Sequence, residues 1–209
     1  MVFRFCTDTW YTDDAGHIEG NGHFFDDYTQ KADAQIGKIW DAVKYREANF
    51  DEEWMIVVTT DHGRSENGHG HGGQSKRERT TWISTNQPVN ERFNTDGLAI
   101  VDITPSICRF MGFNIPQQIG WEQDGISFIG QVDITQMDTS PYDDSVTLSW
   151  NCLNPDAMVD IYIALTNQYK EGGKDQWKKI ARVPAKRQMY VVPTDKLPDS
   201  QYYKFVLET

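Results

Sequence analysis

Apolar residues recur at intervals of three and four between residues 28 and 45. Tyr28, Ala32, Ile36, Ile39, Trp40 and Val43 fall on one face, which predicts an amphipathic helix. Asp26 and Asp27 suit its electropositive amino-terminal end. After a polar break, residues 54–60 (WMIVVTT) form a continuous apolar and β-branched run. Such a run predicts a strand buried on both faces of an α/β sheet, and it stops at Asp61-His62-Gly63. Residues 64–79 read as a loop, residues 80–84 as a short strand and residues 98–101 as another. Thr104 as cap and Pro105 at the first helical position then open a helix that buries Ile107, Phe110 and Met111 and stops at Gly112.

Beyond a polar stretch at residues 134–144 (ITQMDTSPYDD), read as a linker, the period changes to two. Val146, Leu148 and Trp150 alternate, as do Val159, Ile161, Ile163 and Leu165, and then Tyr203, Phe205 and Leu207. With WKKIARV and MYVV between them, about five short strands at regular spacing predict a small β-sandwich. The fold class expected is α/β, a partial sheet with helices over residues 1–137, followed by an all-β sandwich over residues 138–209.

With 209 residues and 38% hydrophobic content, the chain can bury one medium core or two small ones. The net charge of -11 repels nucleic acid and anionic membrane surfaces, and no Lys/Arg cluster overrides it. Cys6, Cys108 and Cys152 are too few and too widely spaced for a disulfide scaffold or a zinc ribbon. No apolar run reaches the roughly 18 residues of a membrane span, and the first residues do not read as an export signal.

Three constellations carry candidate chemistry: Asp13-Asp14-Ala15-Gly16-His17, Asp61-His62-Gly63, and Gly68-His69-Gly70-His71-Gly72-Gly73. They hold four of the five histidines. Imidazole and carboxylate are the ligand set that suits zinc and similar divalent ions, and glycine neighbours let separate loops converge. Either His69 or His71 can serve from the glycine loop.

The string VVTTDHGRSENGHGHGGQSKRERTTWIS resembles the metal-binding segment of the alkaline phosphatase superfamily, in its nucleotide pyrophosphatase and phosphodiesterase-like branch. TDDAGHIEG resembles the earlier Asp-x-x-Gly-His of that family, and VDITPSICRFMGF and DGISFIG resemble its late helix and closing segment, so the likeness covers about residues 5–131. The resemblance implies that Asp13, His17 and His71 ligate one ion and that Asp61 and His62 ligate a second. His71 is preferred over His69 because the family's ligand precedes the Gly-Gly pair. The implied cofactor is a divalent metal, zinc first, and the implied substrates are phosphate or sulfate esters.

The family also places an Asp ligand and a Ser or Thr nucleophile on a strand far upstream, where only twelve residues stand here. Thr7, Thr9 and Thr12 lie too close to Asp13 for that role, so no catalytic residue is assigned. The expectation is one well-occupied metal and little or no hydrolysis by this chain alone. Related readings are a phosphoethanolamine-type transferase or a sulfatase relative. A non-enzymatic metal- or glycan-binding protein is the reading from a different class.

Residues 145–209 resemble a fibronectin type III or similar immunoglobulin-like module. Of its aromatics, Trp150, Tyr162, Trp177 and Tyr190 are expected in the core, with a carbohydrate-contacting strip as the alternative. That module implies an extracytoplasmic parent protein. A partial sheet leaves apolar faces open, so a homodimer is expected as well.

Overall fold

A computed structural model describes residues 9–94 and 97–209; Cys6 and Thr7 lie outside the described residues. Helices and antiparallel sheets are both present, and the chain divides into two compact units, Met1–Gln87 and Pro88–Thr209.

The first unit is built on helices α1 (Trp10–Glu19) and α2 (His23–Asn49), joined by a short turn in which Gly20 takes a φ of 67°. The helix read from the apolar spacing at 28–45 is the middle of α2, with Ala32 and Val43 buried. The apolar pattern does not mark α1 as a helix, although Asp13 and His17 stand one turn apart in it. Its packing on α2 is small-residue and aromatic: Ala15 and Gly16 are buried, the Tyr11 ring lies 5.8 Å from Tyr28, and Tyr11 donates to Gln35 at 2.9 Å.

The apolar run at 54–60 yields only β1 (Val57–Thr59), paired antiparallel with β2 (Ile83–Thr85) in register Val58↔Ser84. The expectation of a strand buried on both faces is corrected: no residue of β1 is fully buried. Side-chain amides replace the ladder before β1. Asn86 accepts from the Ile56 N–H and donates to the Trp54 carbonyl, and Gln87 donates to that same carbonyl at 2.9 Å. Backbone groups satisfied by side chains need no neighbouring strand, so the run ends short.

In the second unit, residues 98–101 are not a strand. Ile100–Asp102 is a 3-10 turn that runs into α3 (Ile103–Phe110), so this helix begins before the expected Thr104 cap and Pro105. The reason is Asp102, whose carboxylate accepts from the Ala99 N–H at 2.7 Å and the Ile126 N–H at 2.7 Å and pairs with Arg92 at 2.8 Å. A short helix α4 (Gln117–Gly120) follows.

Six strands then form two three-stranded antiparallel sheets. One has the order β3 (Ile134–Tyr142), β4 (Ser145–Cys152), β7 (Met189–Pro193); the other has the order β6 (Lys178–Pro184), β5 (Met158–Ala164), β8 (Lys204–Glu208). All five strands read from the period-two pattern are present. The polar stretch read as a linker is instead β3, an edge strand in which only Ile134 and Thr135 are buried, with a register shift between Thr135 and Asp138. An edge strand with mostly solvated side chains lacks the alternation that betrays a strand. The sequence boundary at 137/138 falls inside it.

The sandwich core is Ile134, Leu148, Trp150, Val159, Ile161, Val183, Ala185 and Val192. Trp150 is buried and donates its indole N–H to the Ala185 carbonyl at 2.7 Å, while Tyr190 packs half-buried at the core's edge. Tyr162 and Trp177 lie elsewhere, against Trp121 at ring distances of 4.6 and 5.7 Å. Tyr203, just before β8, donates its hydroxyl to the Pro198 carbonyl at 3.0 Å.

Candidate metal centre

Three separate pieces of the first unit deliver the candidate ligands. α1 presents Asp13 and His17 on one face, the turn after β1 presents Asp61 and His62, and the glycine loop presents His69 and His71. The loop is held by its own backbone and side chains. The Ser65 N–H donates to the Gly70 carbonyl at 2.8 Å, the Gly70 N–H donates to Ser65 Oγ at 3.0 Å, and Asn67 accepts from the His69 N–H at 3.1 Å. Gly68 takes a φ of 81°, a left-handed conformation that glycine adopts without strain.

Asp13, His62 and His71 each place a ligand atom within 4.8 Å of the others. The His62 and His71 rings are stacked at 3.8 Å, and His71 Nε2 lies 3.9 Å from Asp13 Oδ2. His17 borders this trio: its Nε2 is 3.3 Å from Asp13 Oδ2 and its ring is 5.0 Å from that of His71. Asp61 stands apart, with its side chain 86% exposed and its Oδ2 3.5 Å from His62 Nε2. His69 turns away, its Nδ1 on the His17 carbonyl at 3.1 Å. The structure thus gathers His62, implied for the second ion, with two residues implied for the first.

The ring nitrogens fit a cation. His17 Nδ1 meets the His69 carbonyl at 2.7 Å, and His62 Nδ1 meets the Gly63 carbonyl at 2.9 Å. A carbonyl only accepts, so each Nδ1 carries its proton, and in a neutral ring Nε2 is left as a lone pair. Backbone acceptors of this kind fix the tautomer of metal-ligating histidines. For His17 that lone pair faces a carboxylate oxygen, an acceptor opposite an acceptor, which is favourable only with a proton or cation shared between them. A tetrahedral zinc with ligands at about 2.0–2.1 Å holds its donor atoms roughly 3.3–3.4 Å apart; His17 Nε2 stands at 3.3 Å from Asp13 Oδ2, and His71 Nε2 lies farther off, at 3.9 Å.

Asp13 is the centre of the charge arrangement. Burial acts to raise its carboxyl, but the Arg64 hydrogen bond and charge, with His17 and His71, outweigh it and hold the group below the usual carboxylate range. Arg64 donates Nη1 to Asp13 Oδ1 at 2.5 Å and Nε to the Gly68 carbonyl at 2.6 Å. In the sequence Arg64 reads only as a residue of the loop at 64–79. Its signal is a fork-shaped donor beside the Asp-His-Gly turn, the side chain suited to gripping a carboxylate.

Glu78 anchors the end of the loop, accepting from the Gly73 N–H at 3.0 Å and from Ser75 Oγ at 2.5 Å. These bonds, Ser75 first, hold its carboxyl below the usual range.

Among the described residues, no helix is long and apolar enough to cross a membrane, and Cys108 and Cys152 are free thiols. The chain matches no family model, and comparisons with curated proteins and with solved structures find no match.

Proposed function

We propose that this chain carries one divalent-metal site of the kind used for phosphate- and sulfate-ester hydrolysis, with zinc as the resident ion. The observation that carries the reading is the convergence of Asp13, His62 and His71, three segments apart in sequence, within 4.8 Å. One carboxylate and two imidazoles form a three-ligand set with an open position, the arrangement of catalytic zinc sites. A zinc there supplies Lewis acidity toward a phosphoryl or sulfuryl oxygen and lowers the pKa of bound water. The chain's own residues contribute orientation: the Gly63 carbonyl holds the His62 imidazole, the His69 carbonyl holds that of the bordering His17, and Arg64 holds the carboxylate. His17 is the reserve ligand at the border of the trio, and Asp61, with His62, is the place for a second and weaker ion.

The likeness to the alkaline phosphatase superfamily in these motifs supports an ester substrate. The net charge of -11 favours cation capture over anion capture, so metal binding is the firmer part of the proposal. For β3–β8, a fibronectin type III-like identity is supported by two facing antiparallel sheets and by Tyr203, whose bond back to Pro198 is the tyrosine-corner arrangement of immunoglobulin-like sandwiches. Such modules accompany secreted enzymes, which supports an extracytoplasmic parent.

The test is release of nitrophenol from nitrophenyl phosphate, bis-nitrophenyl phosphate and nitrophenyl sulfate with zinc added or chelated. Slow, zinc-dependent turnover that disappears in Asp13→Ala is expected. Turnover that persists in chelator and in Asp13→Ala would contradict the proposal.

A further inference from the structure

We infer that Arg64 is a positioning residue for the metal site, seated by the absent side chain of Gly16, and that its grip on Asp13 Oδ1 leaves Oδ2 as the oxygen offered to a divalent cation. The inference rests on Asp13 being a ligand, and it assigns roles to two residues that make no contact with the ion.

Three observations meet at this guanidinium. Its side chain is only 11% exposed although it sits in a glycine-rich loop. It bridges two segments, donating Nη1 to Asp13 Oδ1 on α1 at 2.5 Å and Nε to the Gly68 carbonyl at 2.6 Å, so it fixes the loop against the helix that carries the carboxylate. Nη2 is buried and finds no acceptor. The reason is steric: Nη2 lies against Gly16, within 2.5 Å of where a Cβ would stand. An arginine that leaves one donor unpaired in a buried place is held there by its other two bonds.

The division of the carboxylate follows. Oδ1 is occupied by the arginine, while Oδ2 faces His17 Nε2 at 3.3 Å and His71 Nε2 at 3.9 Å. Without Arg64, Asp13 is free to rotate and to present both oxygens. Gly16 stands three residues after Asp13 on α1 and is buried, and the atoms a methyl there would meet first are those of the Arg64 guanidinium, so it displaces that group.

The experiment measures zinc affinity by competition with a chromophoric chelator for the wild type, Arg64→Ala, Arg64→Lys, Gly16→Ala and Asp13→Ala. Each protein is also loaded with Co(II) for its visible spectrum and melted in chelator. Loss of such a supporting partner weakens metal binding by about 10–100-fold, which is the expectation for Arg64→Ala and Gly16→Ala, with altered Co(II) bands. Lys restores part of the loss, since one ammonium cannot serve both Asp13 and Gly68. Alanine is the better helix former, so Gly16→Ala is expected to keep or raise the melting temperature while losing zinc, a combination that a purely structural role does not give.

Zinc bound as tightly by Arg64→Ala and Gly16→Ala as by the wild type, with Asp13→Ala defective, overturns the positioning role and leaves the metal site standing. Parallel loss of melting temperature and zinc with an unchanged Co(II) spectrum also overturns it. Zinc bound equally by Asp13→Ala overturns the metal reading itself.

Discussion

Asp102 is 1% exposed and gathers four partners: the Arg92 guanidinium, the Ala99 and Ile126 N–H groups, and, through its own carbonyl, the Ser106 hydroxyl. Arg92 in turn donates to Thr135 of β3 at 3.0 Å, so one buried pair ties the α3 region to the sandwich. Removing one partner of a buried ion pair strands the other, and Asp102→Ala is expected to destabilise the second unit by about 3–5 kcal/mol in urea titration. A loss no larger than that of an exposed substitution would refute this.

A second buried carboxylate sets the acid limit. Asp175 has a fully buried side chain; burial opposes its ionisation, but bonds from Lys204 at 2.8 Å, Thr166 and the Gln168 N–H outweigh it and hold the carboxyl well below its ordinary 3.8. A depressed carboxyl contributes stability that is present above its unfolded value and lost as pH falls through the folded one. Urea midpoints of the wild type should therefore drop below about pH 4, whereas Asp175→Asn starts weaker at neutral pH and is flatter there. Parallel acid profiles would contradict the assignment.

The candidate ligands are legible in the sequence because Asp-His-Gly and the His-rich glycine loop are dense in side chains that can bind a metal. Arg64 is not, because its carboxylate partner lies 51 residues away and nothing local marks the pair.

Among the elements, sandwich strands β4 to β8 are legible in the pattern, β3 passes for a linker, and β1 is legible as a strand but not in its length or burial. Strands β4 and β5 bury one face, so alternation survives in Leu148/Trp150 and Val159/Ile161/Ile163. β1 reads as a buried strand from hydrophobicity alone, but Asn86 and Gln87 take over the backbone groups before it, a side-chain contact that periodicity does not encode. The turn after β1 depends on Gly63, whose N–H donates to the Glu78 carbonyl at 2.8 Å and whose missing Cβ would strike the Arg77 and Thr80 carbonyls. Backbone cannot yield as a side-chain tip does, so Gly63→Ala is expected to displace the turn that carries His62 and to abolish tight zinc binding. Wild-type zinc affinity in that variant would show that the turn adapts. In the sandwich, Tyr203→Phe deletes one hydroxyl bond to Pro198 and should lower stability by about 0.5–1.5 kcal/mol, read as a shifted denaturant midpoint.

At the scale of the whole molecule the two units differ in how they are held. The second has a contiguous apolar core, whereas the first buries few large side chains and exposes Trp10, Ile18, Tyr45, Phe50 and Trp82. Metal coordination is therefore expected to matter for the first unit above all, since an ion bound only by the folded state adds about 2.7 kcal/mol at a hundredfold excess over its Kd. Calorimetry should show two transitions, with zinc raising one and leaving the sandwich transition in place. A single transition insensitive to zinc would argue against that division of labour. The same exposed aromatics underlie the expected homodimer, for which sedimentation at monomer mass would be the contrary result.

The central claim is tested most directly by metal content. After dialysis against zinc and then against metal-free buffer, the wild-type chain is expected to retain one strongly held zinc by elemental analysis, and Asp13→Ala and His71→Ala almost none. Equal zinc in all three proteins, or none in the wild type, would contradict it.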